Sequence, residues 1–277
     1  MPELPEVQAS VDSVRPRLVG HRILAVRQLR ADVVRPFRFD LARHLLKDRV
    51  IHVSRRAKRI VITFESENRW YVHLGMTGRL VVTAPSTPMP RHAHLVLSLD
   101  DGNELRFIDP RRFGRIVWLG CNPDDDHLGP EPLTMSPTEL ASRLERTRRA
   151  IKSALLDQRL IAGIGNIYAD ESLHAAGIHP TKPANRLTPD ETKRLMNAIK
   201  IVLRRAIRSG GSTIRDYVNG RNEPGSFQKQ LAVYARESQP CRRCRTPIVR
   251  MVLGGRSTHF CPTCQPRAAM PRSRVSS

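Results

Sequence analysis

Val7, Val11, Val14 and Leu18 recur every three or four residues near the start of the chain, the spacing of one apolar helical face. The spacing predicts a helix running to about Arg15 and bending or stopping at Pro16, whose ring removes a backbone donor. From His21 to Leu119 the pattern changes to short runs: Ile23–Leu29, Val50–Ser54, Ile60–Phe64, Trp70–Leu74, Arg79–Thr83, His94–Leu99, Glu104–Ile108 and Arg115–Leu119. Asp100-Asp101-Gly102-Asn103 reads as a turn between two of them. Many short strands with turn signals predict an antiparallel sandwich.

Asn122–Pro132 holds three consecutive aspartates and three prolines and reads as a linker. Beyond it the period becomes helical, with helices expected over Pro137–Arg146, Ile151–Leu156, Asn166–Ala176 and Pro189–Arg208. The last has a well-formed start: Thr188 as N-cap, Pro189 at the first helical position and Glu191 completing a capping box. Gly210-Gly211 ends it, and 212–235 reads as a loop-rich connector. The expected organisation is a sandwich domain at 1–121, a linker at 122–132, a helical domain at 133–235, a cysteine module at 236–266 and a disordered tail at 267–277.

Composition adds a partner. The chain has 277 residues, and 47 Lys+Arg against 26 Asp+Glu give a formal net charge of +21. Arginine is spread along the whole length, which points to a polyanion, with nucleic acid the default. Nothing in the sequence resembles a basic amphipathic helix with an apolar aromatic face, a bilayer-spanning run or a signal peptide, so no membrane role and a cytoplasmic location are expected. Cys241-Arg-Arg-Cys244 and Cys261-Pro-Thr-Cys264 stand sixteen residues apart, a spacing that suits one four-thiolate zinc ion. Four cysteines leave no open position for a substrate, so this zinc is structural. Arg245 occupies the place after the second cysteine where glycine is common, and a local adjustment is expected there. Cys121 reads as a small apolar filler.

The first residues, Met1-Pro2-Glu3-Leu4-Pro5-Glu6, carry candidate chemistry. Removal of Met1 would leave Pro2 as a secondary amine with a pKa near neutrality, a nucleophile where lysine is largely protonated. Attack on a sugar C1′ would give an iminium ion, whose fixed charge acidifies the C2′ proton. Glu3 follows as a proton donor or acceptor. Gly163-Ile164-Gly165-Asn166 precedes a helix and suits a DNA phosphate; without a preceding strand or a third glycine it is not a dinucleotide fingerprint. His73-Leu-Gly-Met76-Thr-Gly78 and Asp109-Pro-Arg111-Arg112-Phe113-Gly114 read as glycine-bounded loop tips, and Met, Arg and Phe are residue types that wedge into a base stack. Lys58 sits in the basic run Arg55-Arg-Ala-Lys58-Arg59.

Taken in order, the opening MPELPEV, the segments HLGMTG, DPRRFG and GIGNIYADE, and the paired cysteines resemble the formamidopyrimidine-DNA glycosylase family from the first residue to about Gln265. The resemblance implies an α+β protein: an N-terminal antiparallel β-sandwich, a helix–two-turn–helix domain and a C-terminal four-cysteine zinc finger, with duplex DNA in a cleft between the halves. It implies a monomeric base-excision enzyme that removes oxidised purines, chiefly 8-oxoguanine and formamidopyrimidines, and nicks the strand by β- and δ-elimination. By motif, Pro2 is the implied Schiff-base nucleophile, Glu3 the general acid at the sugar, and Lys58 a helper in β-elimination. Met76, Arg111 and Phe113 are the implied gap-filling trio, and His92, Lys152 and Asn166 match DNA-contacting positions. Arg256 matches the finger arginine linked to δ-elimination. A lesion-capping loop is expected near Asn219–Phe227. The related endonuclease VIII group, which prefers oxidised pyrimidines, usually opens Pro-Glu-Gly-Pro-Glu; Leu4 and DPRRFG side with the purine-specific group. A non-catalytic binder of damaged DNA would need Pro2 or Glu3 lost, and only charge and cysteines favour a zinc-ribbon RNA-binding protein.

Overall fold

The computed structural model describes residues 1–122, 127–214, 217–221 and 223–267. The centre of the expected linker (123–126) and the expected tail beyond Arg267 lie outside them. Two compact units emerge: Met1–Leu128 with Leu203–Gln230, and Gly129–Val202 with Leu231–Ser277.

The first unit opens with α1 (Leu4–Leu18), in which Pro16 lies inside the last turn without ending it. Strands follow in chain order: β1 (Ile23–Gln28), β2 (Val34–Arg35), then, after the short helix α2 (Leu41–Leu45), β3 (Val50–Arg56), β4 (Arg59–Phe64), β5 (Arg69–His73), β6 (Arg79–Thr83), β7 (Ala93–Leu99), β8 (Glu104–Ile108) and β9 (Arg115–Gly120). They form a four-stranded sheet, β1-β7-β8-β6, and a five-stranded sheet, β2-β9-β5-β4-β3. All pairings are antiparallel except β2 with β9, which is parallel, so the sandwich is antiparallel throughout but for one edge strand. That strand is two residues long, too short to register as an alternating run.

Alternation explains the core. Ile60, Ile62 and Phe64 on β4 project to the same side as Trp70 and Val72 on β5, and join Leu105 and Phe107 of β8 and Leu95 and Leu97 of β7 in one buried cluster. Val7, Val11, Val14 and Leu18 of α1 enter the same cluster. Each such side chain contributes roughly 1.5–3 kcal/mol by leaving water, and the helix carrying the terminus is thereby fixed to the sandwich. The helix α2 begins at Asp40, whose carboxylate accepts the Ala42 and Arg43 N–H groups.

In the second unit lie α3 (Pro137–Glu145), α4 (Ile151–Leu155), α5 (Asn166–Ala176) and the greater part of α6 (Pro189–Arg208), followed by the hairpin β10 (Val249–Leu253) and β11 (Arg256–Phe260). The capping box of α6 forms as its sequence predicts: Glu191 N–H donates to Thr188 Oγ1 at 3.2 Å and Thr188 N–H to Glu191 Oε2 at 2.8 Å. Gly254 and Gly255 both take positive φ, 55° and 72°, which a two-residue hairpin turn requires. The expected helical domain at 133–235 is divided otherwise here, since Leu203–Gln230 belongs with the first unit.

Candidate functional site

Pro2 and Glu3 are buried at the start of α1, with Glu3, at the N-cap, only 3% exposed. Glu6, at the third helical position, closes a capping box with Glu3. Oε2 accepts the Glu3 N–H at 2.9 Å and Oε1 accepts the Ser212 N–H at 2.7 Å. The Tyr217 hydroxyl donates to the Glu6 carbonyl at 2.7 Å, and the Gly220 N–H donates to Ser13 Oγ at 2.9 Å. A Cβ on Gly211 would lie 2.8 Å from Glu6 Oε1, and its φ of +80° is a left-handed value; glycine is required there. The residues that line a small recess with Pro2 include Met76, Thr77, Tyr217 and Val218. The residues of the connector that line this recess, Tyr217 and Val218, lie just upstream of the expected capping loop at Asn219–Phe227. The cause is the turn at Gly210 and Gly211, both at positive φ, which brings the connector back onto α1.

Lys58 is buried at the tip of the tight turn between β3 and β4, where Ala57 takes a φ of 53°. Its charge is felt at the Met1 amine and at His73. Burial pushes His73 down to about 4, with Arg115, Arg59 and Lys58 adding to the effect. The ring is thus neutral at neutral pH, and its Nδ1 accepts the Gly75 N–H at 3.1 Å.

Two loop tips far apart in sequence are held back to back. Asp109, fully buried, accepts the Thr77 hydroxyl on Oδ1 at 2.6 Å and the Gly114 N–H on Oδ2 at 2.7 Å. A Cβ on Gly75 would sit 2.5 Å from Gly114 N, so the approach of the two loops needs glycine. The outcome is an exposed group: Met76 at 37%, Phe113 at 58%, and the Arg111 guanidinium 5.1 Å from the Phe113 ring centroid. Between them Arg112 takes a φ of 61°, a left-handed conformation that costs roughly 1–2 kcal/mol. His92 is half-buried at the foot of this loop, where its carbonyl accepts the Asp109 N–H at 3.0 Å.

The four predicted cysteines converge. Sγ–Sγ distances are 3.9 Å for Cys241–Cys264, 3.4 Å for Cys244–Cys261 and 3.5 Å for Cys264–Cys244, close to the edge of a tetrahedron with Zn–S bonds of about 2.3 Å. The donors fit one structural zinc ion. Arg245 adopts a φ of 68° itself, so the expected local adjustment does not occur; an arginine takes the glycine conformation. His174, missed in the sequence, puts Nε2 3.6 Å from Cys241 Sγ. Burial, with Arg243 and Arg236 adding, lowers its pKa to about 4, and a neutral ring can donate to a thiolate.

These features have counterparts in known proteins. Residues 1–116 match the formamidopyrimidine-DNA glycosylase N-terminal domain, residues 128–218 the H2TH domain of the same enzymes, and residues 238–267 the zinc finger found in FPG and IleRS. The chain belongs to the formamidopyrimidine-DNA glycosylase family. A formamidopyrimidine-DNA glycosylase of Laribacter hongkongensis is 45% identical over 96% of this chain and 100% of its own length. The crystal structure of MutM (Fpg) from Thermus thermophilus is 38% identical, with a TM-score of 0.84, covering 95% of this chain and 98% of that one. Lactococcus lactis Fpg bound to DNA containing N7-benzyl-Fapy-dG gives a TM-score of 0.89 at 32% identity, over 96% of this chain and 100% of that one.

The family's second group of motifs falls in the second unit, where the geometry departs from expectation. Gly165 is the N-cap of α5, and Gln158 braces the loop before it, donating to the Leu156 and Ile164 carbonyls and accepting the Gly163 N–H at 2.9 Å. Asn166 turns its Nδ2 to the Ser257 carbonyl at 3.0 Å. Lys152, expected at DNA, is 1% exposed, with Nζ 2.7 Å from Asp170 Oδ1. Its charge is met inside the protein. Arg256 is exposed at the start of β11. Glu171, also missed, accepts the N–H groups of Ala232, Val233 and Tyr234 at 2.8–2.9 Å and anchors the approach to the finger. Cys121 is exposed rather than a core filler; nothing in its neighbours' pattern marks β9 as ending one residue before it.

Proposed function

We infer that the protein is a DNA glycosylase and abasic-site lyase of base-excision repair, acting on oxidised purines through the Pro2 amine. The observation that carries the residue assignment is the buried terminus: Pro2 lines a recess with Met76 and Tyr217, and Glu6 holds the adjoining Glu3 N–H at 2.9 Å. Relatives that share the whole architecture include structures described as bound to DNA with Fapy-dG, with an abasic site and with carbocyclic 8-oxo-G.

In this reading, loss of Met1 frees the Pro2 nitrogen. The Met1 amine is held below its ordinary pKa by burial, with Lys58 and Arg111 helping and Glu3 and Glu6 opposing. The nitrogen attacks C1′ of the everted nucleotide and the bond from C1′ to the damaged base breaks, the electron pair leaving with the base, which takes up the proton the amine sheds. Glu3 then protonates the ring oxygen O4′ as the C1′–O4′ bond opens, and the nitrogen lone pair closes the C1′=N iminium ion. Removal of the C2′ proton then expels the 3′ phosphate, with Lys58 assisting. A second elimination expels the 5′ phosphate, with Arg256 gripping the flanking backbone. Eversion costs a few kcal/mol of stacking, offset by insertion of Met76 and Phe113 while Arg111 pairs with the widowed cytosine. His92 acts on the duplex backbone, and Asn166, whose Nδ2 is engaged by the Ser257 carbonyl, acts through the finger. The structural zinc keeps the finger folded. The enzyme works as a monomer in the cytoplasm, at the nucleoid; no helix among the described residues is long and apolar enough to cross a membrane.

Borohydride trapping tests the nucleophile. The protein beginning at Pro2 should form a covalent adduct with duplex carrying 8-oxoguanine opposite cytosine, and Pro2→Gly should form at least tenfold less. Equal adduct yields, or full incision by protein retaining Met1, would exclude the assignment.

A further inference from the structure

In the second unit, three side chains from two helices, Lys152 and Asp170 buried and Asn166 half-buried, converge on one short stretch of the finger hairpin. Lys152 Nζ donates to the Ser257 carbonyl at 2.7 Å and to Thr258 Oγ1 at 2.9 Å. Asn166 Nδ2 donates to the same Ser257 carbonyl at 3.0 Å. Asp170, four residues along α5 from Asn166, accepts the His259 N–H on Oδ2 at 2.9 Å while its Oδ1 pairs with Lys152 at 2.7 Å. Residues 257–259 are therefore gripped from both sides of the chain, by donors at a carbonyl and by a carboxylate at an amide. They follow directly on Arg256, whose own side chain is exposed.

Hydrogen bonds to charged partners are shorter and stronger than neutral ones, so this grip fixes the backbone at the root of Arg256 more firmly than the β10–β11 ladder alone. An ammonium sealed beside a carboxylate is compensated where it lies. A cation that neutralises a DNA phosphate must instead reach it, and each such contact adds about 0.9 to the slope of log K against log salt. Asp170 and Lys152 are each only 1% exposed.

We propose that Asp170 is a positioning residue for Arg256, with Lys152 and Asn166 completing the clamp, and that Lys152 acts on the Ser257 peptide in place of a DNA phosphate. This rests on the assignment of Arg256 to the phosphate grip and the second elimination. Asp170→Asn alone would strand the Lys152 ammonium and could unfold the module, so the informative variant is Asp170→Asn combined with Lys152→Met, which removes both charges.

The experiment compares full-length zinc-loaded proteins carrying this paired change, Arg256→Ala, or both, on abasic duplex DNA. The readouts are zinc per chain, the share of nicked product that has undergone the second elimination, and the salt slope of binding. The paired change should retain one zinc and lower the second-elimination share at least fivefold, as Arg256→Ala does. Combined with Arg256→Ala it should lower the share no further, and the slope should shorten once, by about 0.9, not twice. A second shortening in the combined protein would show that Lys152 meets a phosphate itself and overturn the proposal. So would a wild-type share in the paired variant while Arg256→Ala loses it. A wild-type share in Arg256→Ala would instead remove the Arg256 assignment, and the clamp's purpose with it. Loss of zinc in the paired variant would reduce the three residues to a folding role and equally reject positioning.

Discussion

Glu6 is the residue through which the terminus is held. Its two oxygens are divided between the Glu3 N–H and the Ser212 N–H, so a carboxylate is needed where a carboxamide offers one acceptor and one clashing donor. Glu6→Gln leaves one buried N–H unsatisfied, at a cost of about 1–3 kcal/mol. The variant is expected to melt earlier and to give several-fold less trapped adduct although Pro2 and Glu3 are intact; an adduct yield equal to wild type would show that the terminus needs no such support. His73 makes the other residue-scale prediction. Its pKa is lowered from 6.5 to about 4 by burial and by Arg115, Arg59 and Lys58. Between those values the unfolded chain binds the proton and the native chain does not. Stability is therefore full above pH 6.5 and falls as pH drops towards 4. His73→Asn should flatten that limb, the two proteins diverging by roughly 3 kcal/mol at its lower end. Urea midpoints measured across the window check this, and parallel curves would contradict it.

At the scale of elements, Asp109 joins two loops that the chain separates by some thirty residues, accepting from Thr77 and from Gly114. Asp109→Asn keeps the size but replaces one acceptor with a donor, so the loops should part and the Met76, Arg111 and Phe113 group should lose its alignment. The expected result is a several-fold narrower preference for cytosine opposite the lesion, measured as incision rates against each normal base, with adduct formation retained. An unchanged preference would place the alignment elsewhere. Elements with a strong period or a local cap were legible before any coordinates: the alternating strands of the sandwich, the α1 face, and the Thr188–Glu191 box of α6. So were the four thiolates, because their chemistry resides in residue type and spacing. The short elements β2 and α2 were not, since two to five residues carry too little pattern. Nor was the fate of Lys152. A lysine in a basic chain reads as a surface cation, and only folding shows that Asp170, eighteen positions away, takes its charge. Arg245 failed as a signal for a related reason, because its local strain is outweighed by the hydrogen bond from its N–H to the Cys241 carbonyl and by its place in the knuckle.

For the whole molecule, the partition of function follows the partition of cores. The proposed nucleophile and the proposed wedge residues stand on the unit that contains the sandwich, whereas all four thiolates belong to the other unit. Structural zinc contributes about 10–16 kcal/mol in small fingers, as much as the entire stability of an ordinary domain, roughly 5–15 kcal/mol. The finger's own core is small: Val233 and Ile248 around the cysteines. Without the metal it should not fold, while the apolar cluster of the sandwich is untouched. Cys244→Ser, or chelation of the wild type, is therefore expected to weaken binding to lesion duplex at least a hundredfold and to abolish incision at low enzyme concentration. The sandwich should still unfold cooperatively near its usual temperature, followed by the near-ultraviolet signal of its tryptophans, Trp70 and Trp118. The net charge of +21 predicts that lowering the salt will restore part of the binding but none of its preference for lesions, because counterion release acts on any duplex. Incision at the wild-type rate by protein shown to contain no zinc would separate the finger from catalysis; loss of the sandwich transition together with the metal would join the two units into one folding entity.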